Sequence, residues 1–310
     1  MKYFVTGGAG FIGSHLVDRL AEENYVAAYD NLSLGKKEFI RHHLKNKNFR
    51  LIQDDLLSMN SLKKSIKGHD AVFHMAANSD ISLGTAQTDI DLKQGAIATY
   101  NLLEAMRVND VKKIVFASSS AVYGEPDRFP TNESYGAKLP ISLYGASKLA
   151  CEGMISAFCH LYGMKAWIFR FANIIGERST HGVMYDFVKK LRDNPKKLEV
   201  LGDGNQRKPY LYVKDCVDGM LYGFSHANEE VNVFNLGCSD NTDVTAIAKI
   251  ITEEMGLKNV RIKYTGGRQG WKGDVVFVNY DTTKMKNLGW EPSLNSKGAV
   301  RKAVKEYLKG

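Results

Sequence analysis

The sequence predicts an α/β protein in which a doubly wound parallel sheet is followed by a smaller α/β domain. Strand-like apolar runs alternate with amphipathic segments through the first half of the 310-residue chain. Such alternation is typical of a parallel sheet covered by helices on both faces. After Asn173 the alternation loosens and glycines become frequent. We therefore expect one domain at 1–172 and a second at 173–310, with segments near 209–240 returning to the first.

The first elements are a strand, a glycine turn and a helix. The apolar run Tyr3–Val5 leads into TGGAGFIG at 6–13, and an amphipathic stretch follows. Glycines at this spacing allow a tight turn, close approach of a pyrophosphate, and close helix–strand packing. The N-terminus of the helix favours an anion. The pattern predicts a Rossmann-type dinucleotide site with contacts at Gly7, Gly10, Phe11, Ile12 and Gly13.

The second strand, Tyr25–Tyr29, ends at Asp30. A carboxylate at this position is placed to accept hydrogen bonds from an adenosine ribose, and it would repel a 2′-phosphate. We therefore predict NAD rather than NADP as the cofactor.

Four further strands are predicted at Phe49–Ile52, Ala71–Met75, Lys113–Ala117 and Ala166–Phe169. Ligands of such sheets bind beyond the carboxyl ends of the strands. Polar or small residues follow three of these strands directly, at Asp54–Asp55, Ala76–Ala77 and Ser118–Ser120. These positions are expected to border the same site.

Tyr144 and Lys148 are four residues apart in a predicted helix, so their side chains share one face. Free tyrosine titrates near ~10 and is a poor base at neutral pH. A fixed positive charge nearby would lower that pKa towards the range of a general base. The spacing alone is common on helix surfaces. Together with the glycine turn, Asp30 and Ser119 it predicts a hydride-transfer centre.

Composition and charge bear on several other classes of function. No apolar run approaches the ~20 residues that span a bilayer, and the first strand begins at once, so we expect a cytoplasmic protein without a signal peptide or membrane partner. Four cysteines lack the spacing of a metal site or a disulfide framework, and no metal is expected. The net charge is +8, but the basic residues are spread over the chain and are not interleaved with aromatic residues as in a stacking platform for nucleic acid. We therefore expect no nucleic-acid partner.

With these features in place, the chain resembles the extended short-chain dehydrogenase/reductase family, and within it the UDP-glucose (UDP-galactose) 4-epimerases. The resemblance covers almost the whole chain. Its markers are, in order, Thr6–Gly13, Asp30–Leu32, Asp55–Leu56, His74–Ala77, Ser118–Gly124, Tyr144–Lys148, Arg170–Asn173, Gly202–Gly204, Tyr212–Val213, Phe234–Gly237, Gly273–Asp274 and Leu288–Trp290.

The resemblance implies a catalytic trio of Ser119, Tyr144 and Lys148. Tyr144 as a phenolate would take the proton of a sugar 4-hydroxyl while the C4 hydride moves to NAD. Ser119 would hydrogen-bond the same oxygen, and Lys148 would bind the nicotinamide ribose and hold down the Tyr144 pKa. The 4-keto sugar would then turn over and take the hydride back on its other face. Further NAD contacts are implied at Asn31, Asp55, Leu56, Ala76, Ala77, Tyr144 and Lys148.

The residues after Ser119 discriminate among sister reactions. The family's 4,6-dehydratases carry Asp-Glu where this chain has Ser120 and Ala121, and its decarboxylases usually carry Glu at the second position. Their absence favours a UDP-hexose 4-epimerase. The alternatives are a UDP-GlcNAc 4-epimerase, a net oxidoreductase or another nucleotide-sugar-modifying enzyme, and a non-catalytic dinucleotide-binding protein on the same fold.

The resemblance also implies residues that bind the substrate. Ser119 and Tyr144 would contact the sugar, and Asn173 matches the family's substrate-binding Asn. Positive charge for the diphosphate could come from Arg207 or Lys208, or from Arg268 in a later loop. Asp274, which follows that loop, is a further predicted substrate-binding residue.

Two departures from the family pattern carry further expectations. Gly95 occupies a position where relatives often have Asn, so one polar contact below the cofactor is expected to be absent. Val278 occupies a position where relatives limit the space near the sugar, and its modest size suggests that N-acetylated UDP-hexoses could enter. Relatives commonly dimerise through two long helices, which correspond to 85–106 and 143–161 here. A homodimer is therefore expected.

Overall fold

A computed structural model describes residues 1–81, 83–136, 138–270 and 275–309. Its strands are β1 Lys2–Thr6, β2 Tyr25–Asp30, β3 Phe49–Gln53, β4 Ala71–His74, β5 Lys113–Ser119, β6 Lys165–Phe171, β7 Asn173–Ile175, β8 Lys197–Val200, β9 Arg207–Lys208, β10 Tyr210–Tyr212, β11 Val231–Leu236, β12 Thr242–Asp243 and β13 Arg261–Tyr264.

The described α-helices are α1 Phe11–Leu20, α2 Met59–Ser65, α3 Leu83–Ala86, α4 Ala98–Val108, α5 Leu143–Tyr162, α6 Val183–Asp193, α7 Val213–His226, α8 Val244–Glu254, α9 Thr283–Leu288 and α10 Ser296–Lys309. Short 3₁₀ helices occupy Lys37–His43 and Ser120–Tyr123, and a π-helical turn at Leu92–Ile97 leads into α4.

Seven strands form one parallel sheet in the order β11-β6-β5-β4-β1-β2-β3, flanked by helices. This confirms the predicted doubly wound fold of the Rossmann type. The strand order reverses between β1 and β4, which is the switch point where ligands of such folds bind. The register aligns the carboxyl ends of the strands, since Thr6 pairs with both Tyr29 and His74, and His74 pairs with Phe116.

The core of this sheet consists of aliphatic and aromatic side chains that parallel strands bury on both faces. Phe4, Val72 and Ile114 of adjacent strands are fully buried, and Leu102 of α4 and Ile155 of α5 belong to the same cluster. This core holds rigid the strand ends from which the candidate site residues project.

The chain divides into two compact units. The first comprises Met1–Gly124, Lys138–Arg170 and Met220–Phe234, and the second comprises Glu125–Ala137, Phe171–Gly219 and Asn235–Gly310. Within the second unit the strands form small pairs: β7 and β8 are parallel to β10 and β13 respectively, whereas β9 and β12 are antiparallel. Across the described ranges, no helix has both the length and the apolar character needed to cross a membrane.

Candidate active site

The glycine turn after β1 is folded tightly against its surroundings. Gly7 has a φ of +67° and donates its N–H to the Tyr29 carbonyl at 2.8 Å, and Gly10 donates to the Gly7 carbonyl at 3.0 Å. A Cβ at Gly13 would overlap the Gly7 carbonyl, and a Cβ at Gly7 would lie 2.7 Å from the Ala76 nitrogen. Only glycine fits these two positions. The first amides of α1, from Phe11 to Gly13, therefore lie beside bare backbone, as a bound diphosphate requires.

Asp30 has a structural role that the sequence did not indicate. Its carboxylate accepts hydrogen bonds from the backbone amides of Ala9 at 2.9 Å and Leu32 at 2.8 Å. The side chain is buried, and burial raises its pKa while the two amides oppose that rise. Because an ionised carboxylate has about four acceptor sites, it can hold the glycine turn and still accept from a ribose.

The other predicted NAD contacts meet at the same edge of the sheet. Asn31 donates to the Asp55 carboxylate at 2.8 Å, and that carboxylate also accepts from the Leu57 amide at 2.8 Å. The Leu56 carbonyl accepts from the Asn101 side chain at 3.0 Å. The Ala76 amide, one residue before Ala77, donates to the Thr6 hydroxyl at 3.3 Å. The residues present thus form a cradle that fits a dinucleotide.

Ser119, Tyr144 and Lys148 come together at the ends of β5 and α5. Helix α5 begins after Ser142, whose hydroxyl accepts from the Gly145 amide at 3.1 Å. The Ser119 hydroxyl accepts from the Ala121 amide at 3.2 Å and hydrogen-bonds the Tyr144 phenol. The Lys148 ammonium donates to the Ala117 carbonyl at 2.6 Å and lies 5.8 Å from the centroid of the Tyr144 ring.

The pKa of Tyr144 does not follow the sequence-based expectation. Burial raises it to about 12; Ser119 opposes the rise and the Asp91 carboxylate adds to it. Burial also lowers the pKa of Lys148 to about 8, although the Glu152 carboxylate opposes this. The expected lowering of the Tyr144 pKa is therefore wrong for the protein alone. The cost of burying a phenolate is the largest effect, and the Lys148 ammonium donates to a carbonyl oxygen.

A buried ion pair that the sequence analysis missed supports the trio from below. Arg170 on β6 donates to both Glu152 carboxylate oxygens, at 3.0 and 2.7 Å, and to the Tyr123 hydroxyl at 2.9 Å. Ser118 donates to the same carboxylate at 2.6 Å. The network ties β5, β6 and α5 together. The available signal was a charged residue four positions after Lys148, on the same face of a helix that packs against the sheet.

His74, at the end of β4, lies in a marker segment of the resemblance, but its role was not predicted from the sequence. Its two ring nitrogens lie 2.7 Å from the Thr6 hydroxyl and 2.9 Å from the Thr99 hydroxyl. Burial and the charge of Lys148 lower its pKa to about 3. His74 is therefore neutral near pH 7 and links β1, β4 and α4 below the glycine turn.

Gly95 lies within the π-helical turn and contacts α5 closely. A Cβ at this position would overlap the Ser147 hydroxyl, which donates to the Asp91 carbonyl at 2.7 Å. Ser147, the residue before Lys148, therefore occupies the space that a side chain at position 95 would need. Glycine inside a helix costs ~1 kcal/mol relative to alanine, and here it permits the approach of the helix that carries Tyr144 and Lys148.

The predicted substrate residues lie in the second unit, except for Ser119 and Tyr144. Asn173 begins β7 and donates from its backbone amide to the Pro209 carbonyl at 3.2 Å. Arg207 and Lys208 form β9, where Arg207 is exposed and Lys208 partly buried. Arg268 is exposed, in the loop where Gly266 donates to the Gly202 carbonyl at 2.9 Å. Asp274 lies outside the described residues.

Comparison with known proteins identifies the family. The model of the NAD dependent epimerase/dehydratase family matches residues 3–237. The chain belongs to this family. The resemblance to the extended short-chain dehydrogenases/reductases is thereby confirmed, and the cofactor is NAD.

Solved structures of similar proteins include several 4-epimerases. A UDP-galactose 4-epimerase is 40% identical, with a TM-score of 0.89 and coverage of 100% of this chain and 99% of its own. The UDP-glucose 4-epimerase of Thermotoga maritima, solved with UDP-glucose, is 33% identical, with a TM-score of 0.89 and coverage of 100% and 99%. The UDP-N-acetylglucosamine 4-epimerase of Methanobrevibacter ruminantium, solved with UDP-N-acetylmuramic acid, is 30% identical, with a TM-score of 0.88 and coverage of 99% and 98%.

Proposed function

We propose that the protein is a 4-epimerase of UDP-hexoses that interconverts UDP-glucose and UDP-galactose. The observation that carries this proposal is the grouping of Ser119, Tyr144 and Lys148 at the carboxyl edge of the sheet, with no carboxylate on the two residues that follow Ser119. Ser120 and Ala121 bear no carboxylate, so the protein lacks at these positions the groups that an elimination at C5 and C6 would use. A 4-epimerase needs one proton acceptor at one oxygen.

Each residue of the trio has a defined task at the sugar C4 oxygen. Bound NAD supplies reversible acceptance of the C4 hydride. Tyr144 removes the hydroxyl proton and returns it after the 4-keto sugar has turned over, acting as base and then as acid. Ser119 hydrogen-bonds the same oxygen. The Lys148 ammonium donates one of its three N–H groups to the Ala117 carbonyl. Two N–H groups remain to donate to the hydroxyls of a ribose.

For the nucleotide half of the substrate, we favour Arg207 over Lys208 as the diphosphate ligand. Adjacent residues of a strand point to opposite faces, so both cannot face the same phosphate. Arg207 is the more exposed of the two, and its guanidinium can bind phosphate oxygens in pairs. Asn173, Arg268 and Asp274 remain predicted substrate ligands.

The direct test is incubation of the purified protein with UDP-glucose or UDP-galactose, without added NAD, followed by chromatography of the sugars. We expect interconversion in both directions. Tyr144→Phe should reduce the rate by at least ~10²-fold, because it removes the general base. Tyr185→Phe is the control, because the centroid of the Tyr185 ring lies 6.3 Å from that of Tyr307 in the second unit. Its rate of epimerisation should equal that of the parent. Undiminished epimerisation by the Tyr144 variant would contradict the mechanism.

The N-acetylated UDP-hexoses are the second candidate substrates. Val278 is buried and its amide donates to the Arg207 carbonyl at 3.1 Å, so a position of modest size lies beside a predicted diphosphate ligand. We expect turnover of UDP-GlcNAc in the same assay; undetectable turnover beside rapid turnover of UDP-glucose would exclude it. Release of NADH during turnover would favour a net oxidoreductase instead.

A homodimer through α4 and α5 is part of the proposal. Large apolar side chains on or beside these helices are exposed, among them Ile97, Tyr100 and Leu161. Sedimentation analysis should show a dimer, and Tyr100→Glu should shift it towards monomer because it places a charge on this apolar face.

A further inference from the structure

Three potential metal ligands converge on the surface of the first unit, away from the catalytic trio. Asp18 lies near the end of α1, and His42 and His43 are the last residues of the 3₁₀ helix 37–43. The Nε2 atoms of His42 and His43 lie 2.9 and 2.8 Å from the same Asp18 oxygen, Oδ1. All three ligand atoms lie within 4.8 Å of one another.

The convergence of the two imidazoles is unusual for neighbouring residues. Consecutive residues of a 3₁₀ helix project about 120° apart, because each turn has 3.0 residues. Here the centroids of the two rings nevertheless lie 4.1 Å apart, and the centroid of the His43 ring lies 5.4 Å from that of the Phe49 ring. Both rings therefore turn towards one carboxylate, so that two imidazole nitrogens and one carboxylate oxygen lie together.

The distances are close to those of a tetrahedral zinc site. Zinc–ligand bonds of ~2.0–2.1 Å place neighbouring ligand atoms ~3.3 Å apart. The observed nitrogen–oxygen separations of 2.9 and 2.8 Å are shorter by roughly half an ångström, which small rotations of the side chains can supply. His42 is about half exposed whereas His43 and Asp18 are mostly covered, so an ion can enter from solvent onto a partly fixed ligand pair.

We propose that Asp18, His42 and His43 form a binding site for a divalent transition-metal ion, with Zn²⁺ as the best match. Two imidazole nitrogens and one carboxylate oxygen suit Zn²⁺, Co²⁺ and Ni²⁺ better than Mg²⁺ or Ca²⁺, which take oxygen ligands. Three protein ligands leave the fourth position to water, as in an open site.

The position of the site gives the ion a structural effect. It would join the end of α1 to the end of the 3₁₀ helix. The start of that same helix is already connected to the glycine turn, because the Lys36 amide donates to the Ala9 carbonyl at 2.9 Å. With a metal ion bound, the segment that follows Asp30 would thus be held to the rest of the unit at both of its ends. Because the ion would bind only the folded state, it would stabilise the folded protein.

The test uses the full-length protein after dialysis against a chelator. Calorimetric titration with Zn²⁺ should give one site per chain, and Co²⁺ should give visible absorption typical of nitrogen–oxygen ligation. Asp18→Asn and His42→Gln should each weaken binding by at least ~10-fold, since each removes a ligand. Zn²⁺ should raise the melting temperature of the parent protein and not of the variants.

His160→Gln is the matched control. His160 is an exposed histidine that also contacts a carboxylate, Glu230, at 2.5 Å, but it has no second imidazole. This variant should bind metal as the parent does. The proposal is overturned if the parent binds no Zn²⁺, or if the His42 and Asp18 variants bind as tightly as the control, in which case the cluster is a hydrogen-bonded contact only. Because His42 is half exposed, its variant is expected to fold, and the Co²⁺ spectrum of the parent reports the ligands independently.

Discussion

Replacing Lys148 by methionine should stabilise the NAD-free protein while abolishing its activity. The Lys148 side chain is 4% exposed, and its ammonium has the Ala117 carbonyl as a hydrogen-bond acceptor and the Phe116 ring at 4.7 Å. Burial of this charge lowers its pKa from 10.5 to about 8. Methionine has a similar length and no charge, so it fills the same space without the cost of desolvation.

The magnitude follows from linkage between protonation and folding. Below pH 8 the lysine is charged in both states, and the folded state bears the full penalty. At about 1.36 kcal/mol per pKa unit, the difference between 10.5 and 8 amounts to about 3 kcal/mol. Loss of the hydrogen bond to the Ala117 carbonyl lowers the stability of the variant by about 1 kcal/mol. We therefore expect a net gain of about 2 kcal/mol at pH 7.

The sign of the pH dependence is opposite to that of a group that gains an ionic partner. Between pH 8 and 10.5 the unfolded state binds more protons than the folded state, so the penalty disappears as the pH rises. The advantage of the Lys148→Met variant should thus shrink across this window, and above it the lost hydrogen bond should leave the variant less stable than the parent by about 1 kcal/mol.

Urea unfolding of NAD-free protein at pH 7, 8.5 and 10 measures both quantities. Lys302→Met is the control, because it removes an exposed lysine that pairs with Glu306 at 2.7 Å, and it should change stability by only about 0.3–0.5 kcal/mol. A Lys148 variant that is less stable than the parent at pH 7, or a difference independent of pH, would refute the reasoning.

Three further predictions concern the scaffold of the site. Arg170→Met should lower the free energy of unfolding by about 3–5 kcal/mol, because it leaves the Glu152 charge buried without its partner; urea unfolding checks this, and the double variant with Glu152→Gln should recover part of the loss. Gly13→Ala should abolish retention of NAD, since a Cβ there would overlap the Gly7 carbonyl; the NAD content of purified protein measures it, and retention at the level of the parent would contradict the packing argument. Gly95→Ala should displace the Ser147 hydroxyl and lower kcat more than it raises KM for the UDP-sugar, whereas Gly153→Ala, on the same helix as Ser147 but with open space at its Cβ, should leave both unchanged.

Local patterns predicted the fold and the NAD cofactor correctly. The glycine spacing, the acid after β2 and the four-residue separation of Tyr144 and Lys148 are properties of single segments, so their consequences can be inferred without tertiary contacts. The parallel, doubly wound character of the sheet also follows from the alternation of elements. These features indicate the edge of the sheet at which the predicted NAD contacts and the proposed catalytic trio lie.

Residues whose roles depend on packing between distant segments could not be predicted. Glu152 and Arg170 lie on α5 and β6, and only the docking of that helix against the sheet makes them a buried pair. From the sequence, Gly95 was expected to mean the loss of one polar contact below the cofactor. In the structure, the Ser147 hydroxyl occupies the space that a side chain at position 95 would need. Asp18 and the two histidines are separated by more than twenty residues, and no sequence motif joins them.

The Tyr144 pKa shows the same limit in electrostatic form, and it also constrains the chemistry. Sequence spacing reveals the neighbouring lysine but not how much burial costs the phenolate. Since burial raises the pKa of Tyr144 to about 12 and lowers that of Lys148 to about 8, the protein alone disfavours the charged form of each. If Tyr144 acts as a phenolate near neutral pH, as proposed, a further positive charge has to lower its pKa, and bound oxidised NAD would supply one. We therefore expect NAD⁺ to lower the pKa of Tyr144 more than NADH does, which a pH titration of the two complexes measures.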